Sequence, residues 1–397
     1  MKVFSFVIIL ILAFSCTKKK QDPLYSMPTW NPEAGDNLSR FVVAISNNEH
    51  GALGSQRAPI PEQILVPGAE HSIEYGGPRV LSGYIDILRK RFKNNLVLLD
   101  SGRFIKSSSK IEDIESLRKF YTHLNYDGIL FSEEEVIQFL ENAKKFNPTK
   151  LPFINSNIID LKTKKLLTRN VEMDSRLITK GDLKIGIIGI TSYDGKKIKA
   201  NDHFKGLYFE KPAVTFLEFK NKLKRKGAEI IILMANLKTS CESKMPPRTL
   251  NSPRPSWAKI YCQDSKDDLL RFLKRIPRGS LDLLVLANNQ KQLRGFLIDT
   301  PVITTPPSSG FISMVEMFYD KNQKKLVWDK SLLHPKIQLC ENFFRVTSDC
   351  SLTTSAPGYS ERLIRLKKSS LQIKPAFFLG IEVKPDLSVN SFLPILK

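Results

Sequence analysis

Glu229-Ile230-Ile231-Ile232-Leu233-Met234 is a short, nearly unbroken apolar run, rich in β-branched side chains. An alternating strand would show polar residues at every second place, so this run predicts a central strand buried on both faces. The segment before it, Phe209 to Arg225, has the spacing of an amphipathic helix, and Asp267 to Arg275 after it repeats that pattern. Further on, Leu281 to Leu286 and Pro301 to Thr304 read as strands, and Ile312 to Tyr319 with Lys325 to Trp328 as a closing β-hairpin. Upstream the rhythm is the same. Strands are predicted at Phe41 to Ile45, Leu96 to Leu99, Asp127 to Phe131, Phe153 to Asn157 and Leu183 to Ile190. Helices are predicted at Arg79 to Phe92, Ile111 to Asn125 and Glu133 to Phe146. Ser132 with Glu135 three residues on is the capping-box pattern for the last of these. Strands alternating with helices in this way give an α/β protein. Two stretches break the rhythm: residues 238–262, which hold four prolines and predict an irregular loop, and the mixed segment from about 335 to the end.

The amino terminus carries an address. Lys2 precedes an apolar run from Val3 to Phe14, interrupted only by Ser5. A membrane-spanning helix needs about 20 apolar residues, so the run reads as the hydrophobic region of a signal peptide over residues 1–15. Ala13-Phe14-Ser15-Cys16, followed by polar Thr17-Lys18-Lys19-Lys20, resembles a lipoprotein processing site. Cleavage there leaves Cys16 as the lipidated residue, and several acyl chains hold a protein to a membrane far more firmly than one. The competing reading is an ordinary cysteine beside an uncleaved apolar segment. Residues 16–38 then form a lipidated end and tether, and the expected location is the bacterial cell envelope, on the exported side.

The formal net charge is +21, spread along the whole chain, with no basic helix interleaved with aromatics and no nucleic-acid motif. Attraction to an anionic lipid surface explains the charge, as does a plain solvated surface. Besides Cys16 there are four cysteines, Cys241, Cys262, Cys340 and Cys350. Export permits disulfides. Three connectivities are open, and the short separations favour Cys241–Cys262 and Cys340–Cys350.

Several motifs, in order, resemble the 5′-nucleotidase branch of the calcineurin-like metallophosphoesterases. They are Ile45-Ser46-Asn47-Asn48-Glu49-His50-Gly51, Gly76-Gly77-Pro78-Arg79, LVLLDSGRF from Leu96, YDGILFSEEEV from Tyr126, GDLKIGIIGIT from Gly181, GAEIIILMANLK from Gly227 and LDLLVLANNQ from Leu281. The resemblance implies a four-layer α/β/β/α sandwich over residues 39–330, with 331–397 as a short extension packed on it. It also implies a pair of divalent metals at the strand ends, which polarise a phosphate and supply a hydroxide.

Carried over position by position, the family's ligands are mostly replaced. The first aspartate falls on Asn48, and the histidine after it is kept as His50. The bridging aspartate falls on Arg103. The Asn-His pair falls on Glu133 and Glu134, the next histidine on Asn236, and the last two on Asn288 and Gln290. A permanent cation at the bridging position repels metals, so no metal or other cofactor is expected and no catalytic residue is assigned. The resulting expectation is a membrane-anchored binding or interaction protein on a hydrolase fold, for a protein or small-molecule partner the sequence does not name. The alternative is a metal-dependent phosphoesterase with a rearranged site using His50, Glu133 and Glu134. A purely structural envelope protein is the third reading.

Overall fold

The computed structural model describes residues 37–47, 54–57, 73–105, 111–141, 151–167, 173–191, 202–244, 258–287, 292–344, 350, 373–391 and 393. In chain order the main elements are β1 (Leu38–Ser46), α1 (Pro78–Phe92), β2 (Leu96–Asp100), α2 (Ile111–Leu124), β3 (Gly128–Leu130), α3 (Glu133–Glu141), β4 (Phe153–Ile154), β5 (Ser175–Lys180) and β6 (Leu183–Thr191). They continue with α4 (Pro212–Arg225), β7 (Ile230–Asn236), α5 (Asp268–Arg275), β8 (Leu283–Leu286), β9 (Arg294–Leu297), β10 (Thr300–Thr304) and β11 (Phe311–Asp320).

Two sheets result. The first has the order β11-β1-β2-β3-β4, with β1 to β4 parallel and β11 antiparallel to β1 from Leu38↔Asp320 to Ile45↔Ser313. The second has the order β9-β10-β8-β7-β6-β5, parallel through β6, β7, β8 and β10. Side chains alternate across each strand, and this assigns the layers. Phe41, Val43, Ile45, Val97 and Leu99 of the first sheet pack against Ile185, Ile187, Ile232, Met234 and Val285 of the second. Their neighbours Val42, Ala44, Leu96 and Leu98 face outward, under Leu81, Tyr84 and Leu88 of α1 and Phe120 and Tyr121 of α2. Ile231, Leu233, Leu284 and Leu286 lie under Phe216 and Phe219 of α4 and Leu269 and Phe272 of α5. Both faces of each parallel strand are therefore covered, as the run at 229–234 requires. The architecture is the expected four-layer sandwich.

The carboxy-terminal segment packs on α1. Phe378 meets Tyr84 with ring centroids 4.9 Å apart, and Val389 and Leu393 join the same core. Close approach is possible because α1 has Gly83 at the contact, where a methyl group would lie 2.4 Å from the Lys384 carbonyl oxygen. Asp386 accepts from the Ser82 hydroxyl at 2.8 Å and lies 2.7 Å from His123 Nε2. Both expected disulfides are present, Cys241–Cys262 and Cys340–Cys350.

Three sequence expectations need correction. The ends of the loop at 238–262 are regular: Glu242–Lys244 pairs antiparallel with Lys259–Tyr261 and extends the second sheet beyond β9. The disulfide at the root of this ribbon holds the two short strands in register. The helix expected from Phe209 begins at Pro212, because Leu207–Phe209 pairs with Ile158–Asp160. The strand expected to reach Asn157 stops at Ile154, because Asn155 and Asn157 turn their side chains back on the main chain. Helix α3 is described to Glu141, and the remainder of its expected span lies outside the described residues.

Candidate functional site

The parallel strands of both sheets end on one side of the sandwich, where ligands of open α/β sheets bind. Two loops of the first sheet and one strand end of the second meet there. The loop after β2 is fixed from below by Asp100, which is fully buried. Its carboxylate accepts from Ser46 Oγ at 2.5 Å, from Tyr121 Oη at 3.2 Å and from the Gly102 amide at 2.9 Å. Ser46 gives its one proton to Asp100, so Tyr126 is the donor in the 2.7 Å contact between the two hydroxyls. Gly102 follows with φ 84°, and a methyl group there would lie 2.3 Å from the Leu130 carbonyl oxygen. Arg103 itself has φ 62° and is half-buried. A left-handed conformation costs a non-glycine residue about 1–2 kcal/mol, and the tethers on either side hold it.

The second tether is Glu135. The capping box forms as the sequence predicts: the Ser132 amide donates to Glu135 Oε2 at 3.1 Å, and the Ser132 hydroxyl donates to the same oxygen. Glu135 Oε1 also accepts from the Ile105 amide at 3.3 Å, so one carboxylate clamps the loop bearing Arg103 to the start of α3. Burial of this side chain raises its pKa to about 7, against the lowering effect of the hydrogen bonds from Ser132 and Ile105.

Glu133, two residues earlier, sits at the rim. Its Oε2 accepts from Asn236 Nδ2 at 2.7 Å. Asn236 is the last residue of β7 and is buried, so this hydrogen bond crosses from the second sheet to the first. Arg103, Glu133 and Asn236 lie just beyond or at the ends of three strands, β2, β3 and β7. Glu134 lies on α3, with its side chain outside the described residues, and Asn48, His50, Asn288 and Gln290 also fall outside them, as does Cys16.

Sequence reasoning missed the polar residues that support these loops. Asn155 Nδ2 donates to Phe131 O at 2.9 Å and its Oδ1 accepts from the amides of Asn157 and Ile158, each at 3.0 Å. Asn157 makes paired bonds with the backbone of Thr191 at 2.7 and 2.9 Å, which joins the strand ends of the two sheets. The motif at Leu96 held the signal for Asp100, but as a buried anchor it is visible only in three dimensions.

The described part of this set, Arg103, Glu133 and Asn236, offers a metal one carboxylate and two groups that are not anionic. Arg103 is a permanent cation, and Glu133 already receives the Asn236 amide. Elsewhere among the described residues, Cys241, Cys262 and Asp267 are the one group close enough to share an ion. The two sulfurs are bonded to each other, and Asp267 caps α5 and accepts from Ser240.

No family model matches the sequence, and no curated protein does. Solved structures do match in fold. The 5′-nucleotidase precursor from Thermus thermophilus superposes with a TM-score of 0.54 at 13% identity, covering 76% of this chain and 55% of that one. The NAD nucleotidase of Haemophilus influenzae gives 0.53 at 14% identity, covering 90% and 60%. A sulfate thiohydrolase from Thermus thermophilus gives 0.52 at 14%, covering 78% and 57%. The fold is that of the 5′-nucleotidases. The chain spans between 55% and 60% of the length of these three structures.

Proposed function

We propose that this chain is a lipid-anchored protein of the bacterial envelope in which a 5′-nucleotidase-like scaffold has lost its two-metal centre and serves in binding rather than hydrolysis. The observation that carries the reading is the Asn236–Glu133 hydrogen bond at the strand ends, with Arg103 on the adjoining loop. Two metals in such a site need several oxygen and imidazole donors and shared negative charge. A guanidinium in place of the bridging carboxylate reverses the sign of the nearest interaction. At 4 Å and an effective dielectric of about 20 this is about 4 kcal/mol per unit charge, more than one remaining histidine offsets.

The Arg103 guanidinium and the hydrogen-bonded Glu133 and Asn236 suit a polar ligand or a protein partner. The anchor supplies location: a protein of this kind acts at the membrane face to which Cys16 ties it.

Restoration tests the proposal. Asn48→Asp, Arg103→Asp, Glu133→Asn, Glu134→His, Asn236→His, Asn288→His and Gln290→His together rebuild the family's pattern on the same backbone. The expected result is metal binding by that variant alone, read by calorimetry with manganese. Manganese-dependent hydrolysis of a 5′-nucleotide by the unaltered chain sinks the proposal.

A further inference from the structure

The end of the sandwich opposite the cleft gathers positive charge that is scattered in the sequence. Strand β1 begins there, at Leu38, beside Asp320 of β11, so the turn at 321–324 lies at this end. The β5–β6 turn lies there too: Gly181 N–H donates to Asn94 O at 3.0 Å, and Asp182 accepts from Ser39 Oγ at 3.0 Å and pairs with Lys321. Helices α1, α4 and α5 all finish at this base, since each leads into the start of the next strand.

Cations in the last turns of these helices, such as Lys90, Arg91, Lys224 and Arg225, are explained by the helix dipole alone. The turns are not. Lys184, Lys324 and Lys325 are exposed at the same end, at or beside the two turns and in no helix, whereas exposed Lys93 caps the carboxy-terminal end of α1. Of the acidic groups there, Asp182 is paired with Lys321 and Asp127 with Lys180 at 2.7 Å, while Glu229, Asp282 and Asp320 lie around Tyr319 at the same end and offset part of the positive charge.

We infer that this base is a docking face for an anionic lipid bilayer, and that docking turns the cleft away from the membrane. The inference rests on the lipid-anchor reading of Cys16. The occupant is named by charge complementarity and by the place where the chain enters β1, at the base itself. The anchor alone does not fix the orientation. A segment of about 20 residues reaches about 70 Å when extended and about 25 Å as a flexible coil, enough for either end to meet the surface. Screened attraction acts only within about 8–10 Å, so an end that presents cations, as the base does among the described residues, is held there.

The test uses the full chain on nanodiscs of phosphatidylglycerol or of phosphatidylcholine, read by amide hydrogen exchange. Attachment, through lipid or through the apolar amino-terminal run, is common to all arms. The expected result is exchange slowed several-fold at residues 93–95 and 321–325 on phosphatidylglycerol only. Lys90→Glu, Lys93→Glu, Lys324→Glu and Lys325→Glu together abolish that protection. Lys162→Glu, Lys164→Glu and Lys165→Glu, on an exposed turn away from the base, leave it intact; unchanged exchange across β1 verifies folding in both. Equal exchange on the two lipids, or protection at residues 101–105 instead, overturns the docking face while leaving the anchor standing. A chain that attaches to neither surface overturns the anchor reading and this inference with it.

Discussion

Single buried groups decide how the cleft residues are held. Glu135 is fully buried and its carboxyl titrates at about 7, against 4.5 for the free side chain. The native state therefore binds the proton more tightly than the unfolded chain. The stability this gives is complete below pH 4.5 and is lost as pH rises through about 7, on the order of 3 kcal/mol over the interval. Glu135→Gln keeps the neutral form at every pH. We expect its urea midpoint to be flat between pH 5 and 8, where the parent falls; an equal fall in both contradicts the assignment. Gly102 is the second such group. Gly102→Ala adds a methyl group 2.3 Å from a backbone oxygen in a left-handed turn, and a loss of upwards of about 2 kcal/mol is expected by chemical denaturation. A neutral outcome means that the loop bearing Arg103 relaxes freely.

Elements were legible in the sequence wherever periodicity was set by burial on known faces. The strands β1, β2, β6, β7 and β8 and the helices α1, α2 and α5 lie close to where their apolar patterns put them. What failed was local: the strand at Leu207–Phe209 and the ribbon at 242–261 exist through partners distant in sequence, which periodicity does not register. At the site, Ser132 and Glu135 were legible as a cap, but Glu135's second bond to Ile105 depends on two loops meeting. The ribbon's disulfide spans 21 residues, and loop-closure entropy makes it worth about 3 kcal/mol. The paired change Cys241→Ser and Cys262→Ser should lower stability by that amount and speed amide exchange at 242–244. The clasp on α1 makes a separate claim. Burial raises the Asp386 carboxyl, but hydrogen bonds from Ser388, Ser82 and His123 outweigh it and hold the group at about 2, below its ordinary 3.8. Its contribution is complete above 3.8 and lost as pH falls through about 2. Asp386→Ala at pH 7 should open residues 384–391 to exchange and leave β1 protected. Simultaneous loss of both would show that the segment is part of the main folding unit.

At the scale of the whole molecule the fold puts two different surfaces at opposite ends: a cleft with Arg103 and the hydrogen-bonded Glu133 and Asn236 among its described residues, and a basic base beside the start of β1. No described helix is long and apolar enough to cross a membrane; in the proposed reading the chain is attached through Cys16. Cys16→Ser should release the chain from the membrane fraction or leave its amino terminus unprocessed; unchanged processing and retention contradict lipidation. The central claim, that this scaffold has given up its metals, is tested most directly by elemental analysis of the protein purified without chelators and dialysed against manganese and zinc. The account predicts metal far below one ion per chain, unchanged by either salt. Two tightly held ions per chain would contradict it.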